Sequence, residues 1–200
     1  MTTPDPSSRR ERRKQDVRAR LLDSAVALFV ERGFDATSVS EIAERADVAR
    51  ATAFNYFPRK EDYFTGWMEA RRDAFRAVFA DPALAGLATP ARLARGFAAV
   101  GGFYEADPAG RPMVREWLRA GGPVLAQASD SAGFVATMLT EGQDAGDIRP
   151  DLDTALAGRM VLDVYLGALY RWAGAGDDAA LAEPLARTLA LLLDAFSIRP

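Results

Sequence analysis

The stretch from Ser38 to Pro58 constrains the fold of this chain more than any other. It holds two helix signatures on either side of a short turn. Ser38 is placed to cap the first helix, and Glu41 three positions on completes a Ser-x-x-Glu capping box, with Ile42 facing inward. Ala46-Asp47-Val48-Ala49 is the turn, and the second helix runs over about 50–57 before Pro58 ends it. Ahead of both, Val17, Leu21, Ala25, Leu28 and Phe29 line one face of a helix over about 12–31, which Gly33 stops. Three short helices within about 45 residues, the last two joined by a tight turn, match a helix-turn-helix unit.

Beyond Pro58 the helices lengthen. Residues 59–80 read as one helix with Phe64, Trp67, Met68, Phe75 and Phe79 on its apolar surface. Further helices are expected at 90–106, 110–120, 124–145, 154–173 and 179–196. Breakers separate them: Asp81-Pro82, Asp107-Pro108, Gly121-Gly122-Pro123, Gly146 through Pro150, and Gly174-Ala175-Gly176. No segment alternates with the period of two that a half-buried strand requires, and the helix spacings contain no internal repeat. The expected fold is all-α, an N-terminal three-helix helix-turn-helix domain followed by a larger helical domain. Apolar residues at 49% and charged residues at 26% of 200 residues suit a chain with a packed core.

Composition also narrows the chemistry. The chain has no cysteine and no histidine. Disulfides, thiolate nucleophiles and cysteine metal sites are excluded, as are the usual general base, the Ser-His-Asp triad and the commonest zinc ligand. Neither a Gly-rich phosphate loop nor a dinucleotide fingerprint occurs. A carboxylate pair could do acid–base work without histidine, yet the acidic residues fall mostly on polar faces and at helix ends. No enzyme activity, no cofactor and no metal site is expected. A run of 18 apolar residues is absent, and residues 1–14 lack the apolar core of a secretory signal. A cytoplasmic protein without a membrane partner is expected.

The net charge of −3 conceals a division. The first 60 residues carry 12 Lys/Arg against 9 Asp/Glu, a net of +3, and the remainder carries 13 against 19, a net of −6. From Arg9 to Arg20 seven basic residues face only Glu11 and Asp16. A basic head on an acidic body fits a polyanion bound at one end, or a solvated tail that binds nothing. Residues 9–14 are expected to be disordered in the free protein and to add sequence-independent affinity for phosphates.

Thr37-Ser38-Val39-Ser40-Glu41-Ile42-Ala43-Glu44-Arg45-Ala46, then Val48, then Thr52-Ala53-Phe54-Asn55-Tyr56-Phe57-Pro58-Arg59-Lys60-Glu61-Asp62, resembles the DNA-binding signature of TetR-type transcriptional regulators. The resemblance covers roughly residues 15–65. The rest is similar to the family in helix count and length and in the stretch Ala145-Gly146-Asp147-Ile148-Arg149-Pro150-Asp151-Leu152-Asp153. It implies a basic flexible arm over 1–14, a helix-turn-helix DNA-binding domain over 15–65, and a ligand-binding and dimerisation domain over 66–200. It implies a homodimer on double-stranded DNA, most simply a repressor that a small apolar or amphipathic effector releases. The alternative is a regulator controlled by a protein partner, or one acting without a ligand. Three positions depart from the family pattern. Ala49 stands where a capping serine is frequent, Phe54 where a tyrosine is common, and Asp47 where a turn glycine is usual.

The residues read alone agree. On the third helix Ala53 and Phe57 face the core with Phe54 beside them, leaving Arg50, Ala51, Thr52, Asn55 and Tyr56 to meet a groove. Arginine can fork onto guanine O6 and N7, and asparagine onto adenine N6 and N7, while the methyl groups of Ala51 and Thr52 suit a thymine methyl. Tyr56 and the hydroxyls of Thr37 and Ser38 are suited to phosphate oxygens. Lys60 sits where the family usually has a phosphate-gripping lysine. Taken singly, Arg50 and Asn55 read as solvated surface, Tyr56 as core and Ser38 as only a cap; their joint spacing is what points to DNA.

The C-terminal part offers aromatic residues from Trp67 onward, at Phe97, Phe103, Tyr104, Trp117, Phe134, Tyr165, Tyr170 and Trp172, as cavity walls or ordinary core. Arg115, Glu116 and Asp163 are the polar candidates, although Asp163 could pair with Arg159 one turn back. No ligand contact is assigned. The helices at 154–173 and 179–196 are expected to form a four-helix dimer interface through Leu181, Leu185, Leu189 and Leu192, with Gly158 and Gly167 allowing close approach. A dimer of such units calls for a near-palindromic operator.

Overall fold

A computed structural model describes the backbone of residues 6–119 and 124–198, and side chains over 9–119 and 130–198. The chain divides into two compact units, Met1–Arg71 and Arg72–Pro200. The described residues form ten helices and no strand: α1 Pro6–Arg32, α2 Val39–Arg45, α3 Arg50–Tyr56, α4 Glu61–Phe79, α5 Pro82–Ala85, α6 Thr89–Ala106, α7 Gly110–Arg119, α8 Val124–Ala145, α9 Thr154–Gly174 and α10 Ala182–Asp194. The Gly121-Gly122-Pro123 breaker and residues 1–5 of the arm lie outside the described residues. None of the described helices is long and apolar enough to cross a membrane.

In the first unit α1 packs on α2 and α2 on α3, and the start of α4 closes the core. Leu21, Ala25, Ile42, Ala53 and Tyr63 are fully buried there. Phe29, Phe34 and Phe64 form a ring cluster with centroids 4.9 to 5.2 Å apart, and Phe57 stacks on Tyr63 at 4.2 Å. Burying one such side chain contributes about 1.5–3 kcal/mol. The Tyr63 hydroxyl has no partner inside this core, and burial pushes its pKa up to about 12.

Helix α1 begins at Pro6, ahead of the expected start near residue 12. The described part of the basic arm is therefore helical and continuous with α1. Arg, Glu, Lys and Gln are strong helix formers, and proline is favoured at a first helical position, so propensity outweighs the absence of an apolar face over 6–16. Gly33 ends α1 at φ 86°, in the left-handed region that glycine enters freely, as its place in the sequence predicts.

The second unit pairs α8 with α9 and α6 with α10, with α7 lying against α9. Its centre is aromatic. Phe75 and Phe79 of α4, Phe97 of α6, Phe134 of α8 and Tyr165 of α9 form a cluster with centroid separations of 4.9 to 6.5 Å. Asp81-Pro82, read as a plain breaker, instead opens the short α5. The Asp81 carboxylate accepts from the Ala83 N–H at 2.9 Å, and Pro82 takes the first helical position. Helix α10 starts three residues later than expected because residue 179 is engaged elsewhere: its carbonyl accepts from Arg111 Nη2 at 2.6 Å and Trp172 Nε1 at 3.0 Å.

Candidate nucleic-acid interface

The local chemistry that presents α3 begins at Ser38. Its hydroxyl accepts from the Glu41 N–H at 3.2 Å, while Glu41 Oε2 accepts from the Ser38 N–H at 2.8 Å, so both halves of the capping box are made. The Ser38 hydroxyl also donates to Glu41 Oε2 at 2.7 Å, and this bond, then the one from the Ser38 backbone N–H, holds the Glu41 carboxyl below its usual pKa. Helix α2 ends with the Val48 N–H donating to Ala43 O at 2.9 Å and the Asp47 N–H to Glu44 O at 3.1 Å. That double return is a Schellman motif, and it forces Asp47 to φ 52°. Aspartate tolerates this conformation better than most residues, which lets Asp47 stand where the family usually has glycine.

Helix α3 then starts at Arg50 with Ala49 as an N-cap that makes no side-chain hydrogen bond. Two ion pairs brace α2 against α1: Arg45 to Glu31 at 2.7 Å and Arg32 to Glu41 at 3.1 Å. The hydrogen bond from Arg45 holds Glu31 below the ordinary carboxylate range.

On α3, Ala53 is fully buried, and Phe57 just beyond it is buried too, as expected. Phe54 is a correction. It is 37% exposed, on the outer face, with the Arg50 guanidinium 5.5 Å from its ring centroid. The reason is helical spacing: Phe54 lies four residues after Arg50, and one turn of helix aligns the two. Arg50, Ala51, Phe54 and Asn55 thus make one exposed face, with Thr52 and Tyr56 half-buried at its edges. Sequence reading missed Phe54 because an aromatic residue beside Ala53 looks like core.

Two named residues lie off this face. Thr37 is buried at 3% exposure, and its hydroxyl donates to Gly33 O at 2.9 Å and Leu28 O at 3.4 Å. Lys60 is half-buried, with Nζ donating to Phe34 O at 2.7 Å and Asp35 O at 3.4 Å and lying 4.2 Å from the Phe34 ring centroid. Both act first as struts for the loop between α1 and α2. At the α4 entry Asp62 accepts from the Arg59 side chain at 2.8 Å and from its N–H at 2.8 Å, and the side-chain bond leads in lowering its pKa.

The second unit corrects several readings. Arg115 Nε donates to Ala173 O at 3.0 Å, Glu116 pairs with Arg119 at 2.8 Å, and Asp163 is exposed, so none of the three polar candidates points into the aromatic centre. Phe103 and Tyr170 are exposed at 57% and 65%, whereas Phe97, Tyr104, Trp117, Tyr165 and Trp172 are buried. Leu181, Leu185 and Leu189 are buried within their own unit, which α6 covers, so they are not the expected dimer stripe. Gly158 likewise serves an internal contact: a Cβ there would stand 2.6 Å from Ala132 O of α8. The large apolar side chains of α9 and α10 left exposed are Leu156, Met160, Tyr170 and Leu191, the last at 78% exposure, and Leu192 of the expected stripe is half-buried. Among the described residues no acidic cluster could hold a metal ion.

Comparison with known proteins agrees with this geometry. The family model of bacterial regulatory proteins of the tetR family matches residues 21–65, and that of the C-terminal domain of TetR/AcrR family transcriptional repressors matches residues 122–195. The chain is 26% identical to the transcriptional repressor KstR of Rhodococcus jostii, covering 97% of this chain and 88% of KstR. It is 24% identical to the transcriptional regulator UidR of Escherichia coli K12, over 78% and 81%. Among solved structures, Thermus thermophilus FadR in complex with lauroyl-CoA is 30% identical, with a TM-score of 0.64 over 92% of this chain and 96% of that one.

Proposed function

The chain belongs to the TetR family of transcriptional regulators, and from that premise we propose a homodimeric repressor that leaves a near-palindromic operator when its second unit takes up an apolar or amphipathic small molecule. The observation that carries the DNA half is the exposed face Arg50, Ala51, Phe54 and Asn55, on a helix whose Ala53 is fully buried. Such a helix enters a major groove with its N-terminal residues at the base edges. Arg50 is the readout candidate for guanine, Asn55 for adenine, and Tyr56 and Ser38 border the phosphates.

For the ligand half, the aromatic centre of the second unit supports an apolar occupant. A buried pair of hydroxyls, Tyr165 donating to Tyr104 at 3.5 Å, supplies the few polar atoms such a site uses. The similarity to a FadR bound to lauroyl-CoA makes long-chain acyl thioesters the first class to test. Leu156, Met160 and Leu191 are the surface for a second copy, since exposed apolar groups on adjacent helices mark interaction faces.

The test is sequencing of genomic DNA recovered with the protein, followed by titration of the recovered site with lauroyl-CoA. The expected result is one near-palindromic motif, release by the thioester, and a raised melting temperature of the free protein. Absence of any enriched motif overturns the DNA reading. An enriched motif that no acyl chain length releases overturns the ligand class. A monomer by light scattering, with and without DNA, overturns the dimer.

A further inference from the structure

Helices α7 and α9 meet in an open groove of about 530 Å³ whose wall holds Arg115, Arg119 and Arg171 and no carboxylate. The volume is that of a small-molecule site. The charge runs against its surroundings: residues 61–200 carry 13 basic and 19 acidic side chains, yet three of the 13 gather here.

Arg115 and Arg119 stand one turn apart on the same face of α7, where like charges repel. Arg115 is held in place, with Nε donating to Ala173 O at 3.0 Å, and its two Nη groups have no partner among the described residues. Among the same residues Arg171 makes no hydrogen bond or ion pair, and Arg119 meets only Glu116 on its own helix. Tyr170 adds an exposed ring beside Arg171, and Leu118 and Ala173 supply apolar wall.

Three guanidinium groups exceed what one carboxylate can engage. A fatty-acid carboxylate accepts a single bidentate fork, whereas a diphosphate offers oxygens to several forks at once. The exposed phenol ring beside them is a surface on which a planar base stacks. A nucleoside diphosphate answers both features.

The groove also lies within reach of the aromatic centre. Ala173 in its wall follows Tyr165 of that centre by eight residues on α9, about 12 Å along the axis, a gap that a pantetheine arm spans. Tyr170 lies ten residues, about 15 Å, beyond Met160 of the surface assigned to a second copy.

We infer that the α7–α9 groove binds the nucleotide diphosphate of a coenzyme A thioester, with Arg115, Arg119 and Arg171 on the phosphates and Tyr170 against the adenine ring. This rests on the acyl-thioester reading above and adds a polar subsite to it. The aromatic centre selects the chain, and the groove selects the carrier.

Calorimetric titration of the full-length protein with lauroyl-CoA and with S-lauroyl-pantetheine tests it. The two share chain, thioester and arm, and only the first carries phosphates and a base. Lauroyl-CoA should bind the parent about 10- to 100-fold more tightly, the scale of one or two charge-assisted contacts, and added salt should narrow the gap. Arg119→Ala/Arg171→Ala removes two exposed guanidinium groups and leaves the Arg115 bond to the end of α9 in place. It should close most of the gap, while S-lauroyl-pantetheine binds parent and variant alike. Arg119→Lys/Arg171→Lys keeps the charge without the fork and should fall between. Tyr170→Ala should weaken lauroyl-CoA alone, by about fivefold or more.

Equal affinity of the parent for the two thioesters, or a double alanine variant that binds lauroyl-CoA like the parent, overturns the site. So does a double alanine variant that loses both thioesters equally, because the arginines then serve the fold. A variant that turns monomeric by light scattering also overturns it, because the arginines then meet a second copy. A parent that binds neither thioester overturns the effector class beneath the site as well as the site itself.

Discussion

The two units differ in how they finish their helices. In the first, helix ends are closed by near neighbours: Ser38 and Glu41 three residues apart, Asp62 on the Arg59 N–H, and Gly33 at the end of α1. In the second, Asp81 and Asp153 still cap α5 and α9 locally, but the starts of α6 and α10 and the end of α9 are closed from far along the chain. Asp147 accepts from the Thr89 N–H at 2.9 Å across 58 residues and caps α6, whose own N-cap Ala88 offers nothing. Glu105 accepts from the N–H groups of Leu181 and Ala182 and caps α10. At the C-terminus of α9, Arg111 donates to the carbonyls of Trp172 at 3.0 Å and Ala175 at 3.2 Å, and Arg115 donates to Ala173. A local cap stabilises a helix before the fold is complete, whereas a distant cap forms only with the tertiary structure. The caps of the DNA-binding unit are therefore specified within its pieces, whereas the second unit adds caps that its pieces supply to one another.

The largest expected effect breaks a distant cap. Arg111→Ala removes the carbonyl bonds at the end of α9 and the cation–π contact 4.4 Å from the Trp172 ring centroid. It should cost about 2–4 kcal/mol, because part-buried carbonyls lose charge-assisted donors. Urea unfolding followed by tryptophan fluorescence checks this, and a loss below about 1 kcal/mol would show that the distant caps are ornamental.

A local cap should matter less. Ser38→Ala is expected to cost about 1 kcal/mol. Hydrogen exchange should place the loss in the amides of α2 and α3, and spreading into α6 or α10 would contradict the self-contained character of the first unit.

The converse sharpens the comparison by adding a cap that is missing. Ala49→Ser gives α3 a hydroxyl at its N-cap and should stabilise the protein by about 0.5–1 kcal/mol. No gain would mean that the Ala49 backbone, at φ −59° and ψ 139°, cannot place the oxygen.

The smallest effect is on pH. Hydrogen bonds from Arg45, Ser38 and Arg59 lower the folded pKa of Glu31, Glu41 and Asp62 respectively. A lowered folded pKa means stability that is present above the ordinary carboxylate range and lost as pH falls through it. The α1–α2 and α3–α4 junctions should loosen first on acidification, read as faster amide exchange between pH 5 and pH 3 at about constant salt. Junction exchange that is flat across this range would remove these carboxylates from the account.

What was legible in the sequence follows the same division. The capping box at Ser38, the stop at Gly33 and the burial of Ala53 and Phe57 depend on residues within a turn or two, so the helix-turn-helix could be read directly. Local rules failed inside that unit where side chains reached across it. Thr37 and Lys60 have the chemistry for phosphate, yet backbone carbonyls of the α1–α2 loop lie within their reach. In the second unit, Leu181, Leu185 and Leu189 showed an apolar stripe at helical spacing, but spacing does not say which neighbour covers a stripe. Nothing in the sequence marked Arg111, Glu105 or Asp147 as caps, because each acts on a helix 58 to 77 residues away.

The sequence by itself determined the all-helical fold, the turn between α2 and α3, and the residue types able to read DNA. These rest on periodicity, caps and breakers, whose energetics are settled within a few residues. Only the tertiary structure decided that Leu191 rather than Leu189 is free for a partner, and that Arg10, Arg13 and Lys14 share a groove with Tyr56. Which of two apolar or charged faces is covered depends on the helix packed against it, and that helix lies elsewhere in the chain.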